Sequence, residues 1–187
     1  MNWRITDLTA GDTGLVDEIA EFLVECFRAY ASEWIPDKAT GLMKIKESFS
    51  VGRRSRVLTN DEGIALGWAG AIVGKNMWEI HPIAVSPAYQ RKGYGSLLID
   101  DIVGLARTNG AAGVWAGTGD TTGSTSFSTV DLYRDAASAM MDVKAPEDHP
   151  VHFWSRMGFS LVGVLPDEEG LGRPGIHFAK RIASERT

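Results

Sequence analysis

A strand, a loop with two glycines and a long amphipathic helix follow one another between residues 77 and 108. This unit constrains the fold more than any other part of the chain. The run from Met77 to Val85 has the apolar content of a strand, and the segment that begins at Gly95 repeats Leu and Ile at helical spacing. The loop between them reads Gln90-Arg91-Lys92-Gly93-Tyr94-Gly95. Glycine tolerates backbone conformations that other residues avoid, so a sharp strand-to-helix turn is predicted.

The start of that helix is suited to an anionic ligand. The first N–H groups of a helix have no partners within it, and the helix dipole makes this end electropositive. Arg91 and Lys92 add positive side chains, so the loop favours a pyrophosphate. It lacks the Gly-Lys-Ser or Gly-Lys-Thr ending of a nucleoside-triphosphate loop and the glycine spacing of a dinucleotide fingerprint. A plain glycine-rich turn without a ligand is the alternative.

The remaining sequence alternates strand-like and helix-like segments without a repeat or a linker. Further helices are predicted at residues 15–31, with Tyr30 on the apolar face, and at 38–49, 95–108, 130–141 and 150–157. Strands are predicted at residues 3–8, 55–59, 64–73, 77–85, 113–118, 159–166 and 175–182. Residues 119–129 have no period and are typical of a functional or mobile loop. This order predicts an α/β fold with a mixed sheet and a single domain over residues 1–187.

Composition and charge argue against several classes of protein. The formal net charge of −5 disfavours a nucleic-acid partner. No apolar stretch approaches the roughly 20 residues of a membrane span, and the N-terminal residues lack a secretory signal, so a cytoplasmic location is expected. The one cysteine, Cys26, cannot form an internal disulfide and is predicted to pack in the core.

Two other features of the sequence do not by themselves indicate a metal site or a ligand. His149 and His152 are spaced i, i+3, but no third ligand is evident, so no metal is predicted. Residues 115–170 contain nine acidic and three basic side chains. That excess either attracts a cation or is an ordinary solvated surface.

The loop matches the Gln/Arg-x-x-Gly-x-Gly/Ala signature and therefore resembles the GCN5-related N-acetyltransferase superfamily. The resemblance covers nearly the whole chain and implies a mixed, mostly antiparallel sheet flanked by helices. It also implies acetyl-coenzyme A as co-substrate, with the pyrophosphate on the loop and the pantetheine arm on the preceding strand. The cofactor-binding residues it implies are Ile83, Ala84, Val85, Gln90, Arg91, Lys92, Gly93, Tyr94, Gly95, Ser96 and Trp154.

Four further segments resemble the aminoglycoside 6'-N-acetyltransferases. They are Trp78-Glu79-Ile80-His81-Pro82, Gly117-Thr118-Gly119-Asp120, His149-Pro150-Val151-His152-Phe153-Trp154, and residues 158–166 followed by Gly170 and Pro174. This resemblance implies a cationic acceptor, the 6'-amine of an aminoglycoside, a role in antibiotic resistance, and a homodimer. The acceptor-binding residues it implies are Trp34, Trp78, Glu79, His81 and Asp120.

Glu79 is the predicted general base, acting directly or through a water molecule. An amine must lose a proton at or before its attack on a thioester, and a carboxylate on an apolar strand suits that task. The alternative is an outward-facing strand residue paired with a lysine. His81 is more typical of a structural role, and Trp34 or Tyr30 is placed where it can stack on a sugar ring.

Two positions depart from the resembling enzymes. Gly119 replaces the first acid of their Gly-Thr-Asp-Asp segment, so Asp120 is either an acceptor ligand or a turn residue. Trp154 replaces a tyrosine proposed to protonate the leaving thiolate, which leaves water, Ser155 or Tyr133 to assist. Rival functions are acetyl transfer to a polyamine, an amino-acid-derived metabolite or a peptide amine, and a non-catalytic acetyl-coenzyme A-binding module.

Overall fold

A computed structural model describes residues 2–29 and 31–183 and confirms the predicted type and order of the elements. The described strands are β1 (Trp3–Asp7), β2 (Arg53–Asn60), β3 (Ala65–Ile72), β4 (Met77–Val85), β5 (Gly113–Gly119), β6 (Ser160–Leu165) and β7 (Gly175–Arg181). The described α-helices are α1 (Thr13–Phe27), α2 (Lys38–Glu47), α3 (Tyr94–Thr108), α4 (Leu132–Met141) and α5 (Pro150–Arg156). The first helix ends at Phe27, four residues before its predicted end. Tyr30, predicted on its apolar face and as a stacking residue, lies outside the described residues.

The strands belong to a mixed, mostly antiparallel sheet of seven strands in the described chain. Its residues group into two compact units, which are described separately. The first contains the described residues up to Val114 together with Ile182 and Ala183, and the second contains Trp115–Arg181. The single-domain assignment of residues 1–187 stays a prediction.

In the first unit β1, β2, β3 and β4 pair in antiparallel order. The core of this unit joins one face of α1 to the sheet, where Ile19, Leu23 and Trp68 are fully buried. Small residues in β3 let α3 approach closely, because a Cβ atom at Gly67 would lie 3.0 Å from Leu98 Cδ1. Leu98 is one turn into α3, so this contact helps to fix the position of the helix start.

A salt bridge ties α3 to the sheet. Arg56 in β2 donates hydrogen bonds to both carboxylate oxygens of Asp101, over 2.7 and 3.0 Å, and to Asp7 over 2.7 Å. The Arg56 and Asp101 side chains are mostly shielded from solvent. Two parallel bonds from a planar guanidinium fix geometry better than a single contact does. The pair therefore orients the helix whose N-terminus carries the glycine loop.

The pairing of β3 with β4 is irregular between Ala69 and Ala71. Gly70 lies at this irregularity, against the backbone of His81. A Cβ atom at Gly70 would approach the His81 carbonyl oxygen to 2.5 Å, so a side chain does not fit without moving the strand. The bulge therefore places His81, and with it the middle of β4, by means of backbone geometry.

The second unit has the strand order β5-β7-β6, with β6 and β7 antiparallel. Its buried side chains include Phe127, Trp154, Phe159 and Phe178. The helix α4 is kinked at Asp135, whose φ and ψ of −152° and 66° are not helical. Within the described part of the chain, no helix is both long and apolar enough to cross a membrane.

Candidate functional site

The loop between β4 and α3 has two residues in the left-handed region of backbone conformation. These are Arg91, with φ of 61°, and Gly93, with φ of 86°. Gly93 is also the N-cap of α3, and no side chain caps this helix end. A Cβ atom at Gly93 would meet nothing within 4 Å, so the left-handed backbone, and not a lack of space, is what favours glycine there.

Most backbone N–H groups of this loop have no acceptor among the described residues, although the Gln90 N–H donates to the Pro87 carbonyl oxygen over 3.4 Å. Those of Arg91, Lys92, Gly93, Gly95 and Ser96 donate to no atom of the described residues. The first turn of α3 contains no acidic residue that could neutralise the helix dipole. Unpaired N–H groups at an electropositive helix end favour an anionic ligand, and a pyrophosphate at this loop stays a prediction.

Gln90 anchors the loop to the end of β4. Its Nε2 donates to the Val85 carbonyl oxygen over 3.0 Å, and the Cys26 Sγ in α1 donates to the same oxygen over 3.2 Å. Burial, together with the charge of Glu25, raises the pKa of the Cys26 thiol to about 12. Cys26 is thus a protonated packing residue at neutral pH, and Gln90 has a structural contact that the sequence did not reveal.

The two basic side chains of the loop differ in their surroundings. The Lys92 Nζ donates to the Ala88 carbonyl oxygen over 3.1 Å and lies 5.2 Å from the centroid of the Tyr89 ring. Arg91 is exposed and has no side-chain partner among the described residues. Arg91 is therefore the side chain free to add charge to the loop.

The strand β4 leads into this loop and presents two different faces. Burial alternates along it: Trp78, Ile80, Pro82 and Ala84 are buried, whereas Glu79, His81, Ile83 and Val85 are only partly buried. Trp78 is 1% exposed, so it is packed inside the protein, and its predicted contact with an acceptor stays a prediction. Its face is the opposite one to that of Glu79, because successive strand side chains point in opposite directions.

Glu79 and His81 lie side by side on the more exposed face of β4. The Glu79 Oε1 and the His81 Nδ1 are 3.8 Å apart, and the Glu79 side chain is 24% exposed. Burial, reinforced by the positive charges of Arg53 and Lys44, lowers the pKa of His81. The imidazole is therefore neutral at neutral pH, and Glu79 lies beside it on the same face of the strand.

An aromatic group adjoins these two residues. The rings of Trp34 and His81 are 5.5 Å apart between centroids, and those of Trp34 and Phe27 are 4.7 Å apart, both edge to face. The Lys44 Nζ lies 5.6 Å from the centroid of Trp34. Trp34 is partly exposed. The first unit thus brings together Trp34, His81 and Glu79, three of the predicted acceptor residues.

Asp120, in the second unit, holds together the loop that follows β5. Its side chain is 0% exposed and accepts hydrogen bonds from the Thr125 N–H and hydroxyl, the Ser124 N–H and hydroxyl, and the Ser128 hydroxyl. Burial by itself raises the pKa of Asp120, but these hydrogen bonds outweigh it and hold the pKa below the usual value. A carboxylate enclosed by its own loop favours the turn role over contact with an acceptor.

Gly119, which precedes Asp120, also has a structural explanation. A Cβ atom there would lie 2.5 Å from the Cδ of Glu169. The Glu169 carboxyl therefore occupies the space in which a side chain at position 119 would lie. The aspartate found at this place in the resembling enzymes does not fit here without moving Glu169.

The candidates for a proton donor are engaged in other contacts. Trp154 is 4% exposed and packs edge to face against Phe153 and Phe159. The Ser155 hydroxyl donates to the Val151 carbonyl oxygen over 3.0 Å. The Tyr133 hydroxyl donates to Asp167 over 3.1 Å, and this hydrogen bond raises the pKa of Tyr133. These contacts favour solvent water as the proton source, and the assignment of Trp154 to coenzyme binding stays a prediction.

The two histidines near α5 bind backbone groups. The His149 Nδ1 accepts a hydrogen bond from the Val151 N–H over 3.2 Å and so caps α5. The His152 Nε2 lies 3.2 Å from the Ala145 carbonyl oxygen. Among the described residues, no group of three or more His, Cys, Asp or Glu side chains is placed to hold a metal ion.

The comparisons with solved structures show the fold. An aminoglycoside 6'-N-acetyltransferase in complex with coenzyme A superposes with a TM-score of 0.87 at 23% identity, over 98% of this chain and 99% of that one. The aminoglycoside 6'-N-acetyltransferase from Enterococcus faecium gives 0.83 at 22% identity, over 98% and 99%. A ribosomal-protein alanine N-acetyltransferase from Escherichia coli gives 0.64 at 17% identity, over 99% and 97%. Enzymes with different acceptors thus share this architecture.

The comparisons by sequence show the family. No curated protein matches the chain significantly in sequence. The model of the acetyltransferase (GNAT) family matches residues 16–137, which is more than half of the chain and includes most of α1, all of β4 and the glycine loop. The chain belongs to the acetyltransferase (GNAT) family.

Proposed function

We propose that this protein transfers the acetyl group of acetyl-coenzyme A to a primary amine, and that its preferred acceptor is the 6'-amine of an aminoglycoside. The observation that carries the proposal is the glycine loop, where five backbone N–H groups have no acceptor in the described part of the chain, at a helix start whose N-cap residue makes no side-chain cap. The structure with coenzyme A among the similar folds supports the same ligand.

Different residues of β4 and its loop would bind the two parts of the coenzyme, the pyrophosphate and the pantetheine arm. The loop amides and Arg91 would hold the pyrophosphate, and the strand from Ile83 to Val85 would bind the pantetheine arm. Glu79 and Val85 are six residues apart, about 20 Å along an extended strand. That length suits an extended arm that brings the thioester towards Glu79.

The reaction needs one proton acceptor close to the amine. The amine nitrogen forms a bond to the thioester carbonyl carbon, the carbon–sulfur bond breaks, and the thiolate leaves. Glu79 takes the amine proton directly or through water, and the thiolate takes a proton from solvent. A thiolate is a tolerable leaving group, so its departure needs little assistance from an acid. Holding the two substrates in the right geometry then supplies much of the rate acceleration.

The surroundings of Glu79 support a sugar-like amine as acceptor. Trp34 is a partly exposed aromatic ring next to His81, and an aromatic face of this kind can stack on a sugar ring. The carboxylate of Glu79 favours a protonated amine. Two of the similar folds are aminoglycoside 6'-N-acetyltransferases, which adds to the case.

A second candidate is an acceptor with fewer positive charges, such as a peptide terminus or an amino-acid-derived amine. Lys44 lies over the Trp34 ring, and the charges of Lys44 and Arg53 act on His81. The positive charges of Lys44 and Arg53 repel an acceptor that carries a second ammonium group. The alanine N-acetyltransferase among the similar folds is consistent with this alternative.

An acceptor panel tests the proposal. Release of coenzyme A thiol is measured with a thiol reagent for a kanamycin-type aminoglycoside, spermidine and a short peptide with a free N-terminus. Cys26 gives little background because its thiol stays protonated. We expect kcat/KM for the aminoglycoside to exceed that for the others by about tenfold or more, a difference of about 1.4 kcal/mol in transition-state binding.

The other outcomes identify the rival functions. A higher kcat/KM for the peptide or for spermidine would replace the aminoglycoside with that acceptor. Tight binding of acetyl-coenzyme A in calorimetry, with no transfer to any amine, would support a non-catalytic coenzyme-binding module. Failure to bind coenzyme A at all would remove the whole proposal.

Substitution of Gly93 by Ala tests the coenzyme half separately. A left-handed backbone costs a residue other than glycine about 1–2 kcal/mol, so we expect a loss of that size in the free energy of unfolding and weaker coenzyme A binding. The control is Gly104→Ala within α3, where a Cβ atom also meets nothing within 4 Å. That change should stabilise the protein by about 0.5–1 kcal/mol. Equal effects of both substitutions on unfolding and binding would contradict the role of Gly93.

A further inference from the structure

A lysine of the chain lies against the residues proposed to receive the acceptor. The Nζ of Lys44, in α2, is 5.6 Å from the centroid of the Trp34 ring, and that ring is 5.5 Å from the ring of His81. The His81 Nδ1 is in turn 3.8 Å from the Glu79 Oε1. The aromatic group proposed to bind the acceptor is therefore already in contact with a primary amine of the protein.

The contacts that hold this amine in place are weak. The Lys44 side chain is 25% exposed, and its Nζ is 3.5 Å from the Glu47 Oε2, beyond the usual length of a hydrogen bond. An exposed ion pair of this kind contributes little to stability. By contrast, the Lys38 Nζ is held by Asp17 and Glu21 at 2.7 Å each. Because its stem is flexible, the Lys44 ammonium can leave Glu47 for another partner in the same site.

We propose that Lys44 is acetylated by the protein itself when no other acceptor is bound. The inference rests on the proposed acetyl transfer at this site and adds a second acceptor to it. The Lys44 ammonium first gives one proton to Glu79, directly or through water. Its nitrogen then forms a bond to the thioester carbonyl carbon and the carbon–sulfur bond breaks. The nitrogen releases its second proton to water, from which the leaving thiolate is protonated.

Acetylation of Lys44 changes the charge that an acceptor meets. An acetylated lysine is neutral, so the cation over the Trp34 ring and the ion pair with Glu47 are both lost. The Trp34 ring then has no competing cation, and the Glu47 carboxylate is released to attract one. Acetylation of this one lysine therefore increases the preference for an acceptor with several ammonium groups, such as an aminoglycoside.

Mass spectrometry of the full chain incubated with acetyl-coenzyme A alone tests the modification. We expect the intact protein to gain one acetyl group, assigned to Lys44 by peptide mapping, at a first-order rate that does not depend on protein concentration. Lys44→Arg keeps the positive charge and should abolish this gain. The matched control is Lys46→Arg, which should be labelled like the wild type. Lys46 is exposed on the same helix, and residues two apart in a helix do not face each other.

A Glu79→Gln variant separates enzymatic transfer from chemical acetylation. We expect it to slow the labelling of Lys44 by about 10²-fold or more and to leave the chemical labelling of Lys46 unchanged. Labelling of Lys44 that is no faster than that of Lys46, or that Glu79→Gln does not slow, would overturn the proposal. Acetyl transfer to an added amine without label on Lys44 would overturn it and leave the proposed function standing. Absence of both reactions would overturn both.

A Lys44→Gln variant, which is neutral at this position, tests the effect on the acceptor. We expect KM for a kanamycin-type aminoglycoside to fall by about two- to fivefold, the size of one partly exposed charge contact. KM for a short peptide with a free N-terminus should change less. Lys46→Gln is the control and should leave both values unchanged. An aminoglycoside KM that stays the same or rises in Lys44→Gln would overturn the effect on acceptor preference.

Discussion

Replacing Glu79 by Gln is expected to lower kcat for acetyl transfer by about 10²–10⁴-fold, the range that a positioned general base contributes. Glutamine keeps the size of the side chain and removes the carboxylate proposed to accept the amine proton. The backbone of β4 and the glycine loop are untouched, so the dissociation constant for acetyl-coenzyme A should not change. Steady-state kinetics across pH, together with calorimetric binding of the coenzyme, measures both quantities.

The matched control for this prediction is Glu47→Gln. Glu47 lies at the end of α2, is exposed, and acts on His81 through its charge without being part of β4. It tests whether loss of any carboxylate near His81 is sufficient to lower the rate. Unchanged turnover for Glu79→Gln across the pH range would remove Glu79 from the proton-accepting role. An equal loss in both variants would point to a general electrostatic effect.

Replacing Asp120 by Ala is expected to cost about 3 kcal/mol in the free energy of unfolding, because each buried hydrogen-bond donor left without its acceptor costs about 1–3 kcal/mol. The carboxylate accepts five hydrogen bonds from its loop and also lies 3.9 Å from the His149 Nε2. Truncation leaves these donors without their acceptor, and the Thr125 hydroxyl is itself buried. Urea denaturation monitored by fluorescence measures the change.

The control for Asp120 is Asp131→Ala. Asp131 is exposed and caps α4 through one hydrogen bond from the Tyr133 N–H, so its loss should cost about 1 kcal/mol. If Asp120→Ala is no more destabilising than Asp131→Ala but raises KM for the acceptor, Asp120 belongs to the acceptor site after all. A large loss of stability supports the turn role.

The lowered pKa of Asp120 also predicts how stability depends on pH. The folded state binds the proton less readily than the unfolded state, so the charged carboxylate stabilises the fold. This contribution is fully present above the usual pKa of 3.8 and is lost as the pH falls through the lowered value. The wild type should therefore lose stability in acid more steeply than Asp120→Ala. The same urea series at pH values below 4 measures the difference.

The order of the elements was predictable because the spacing of apolar residues, which distinguishes helices from strands, is a property of each local stretch of sequence. The strand Met77–Val85 matched its predicted bounds, and the loop and α3 followed as expected. Helix ends were less predictable. The first helix ends at Phe27 although no glycine or proline marks a stop there. Asp12 sits at its N-cap position, but its side chain binds Thr9 and does not cap the helix.

Two of the predicted acceptor residues lie on different faces of one strand. Trp78 and Glu79 are predicted in one site, and neighbouring residues of a strand face opposite sides. Burial alternates along β4 in agreement with this geometry, which was already implied by the strand prediction. The sequence near Asp120 gave only a weak indication of its turn role, namely that its hydrogen-bond partners Ser124, Thr125 and Ser128 follow within eight residues. Burial of its carboxylate nevertheless depends on packing that the pattern does not contain.

The sequence by itself determined the turn between β4 and α3, because a helix start and a left-handed glycine are set by the residues of the loop itself. Only the tertiary structure decided which side chains surround it. Cys26 and Val85 are 59 residues apart in sequence and share a hydrogen bond. Lys44, in α2, lies over the Trp34 ring, and its charge adds to the effect of burial in lowering the pKa of His81 in β4. Such contacts arise when separate elements pack, and the local period of each element does not encode them.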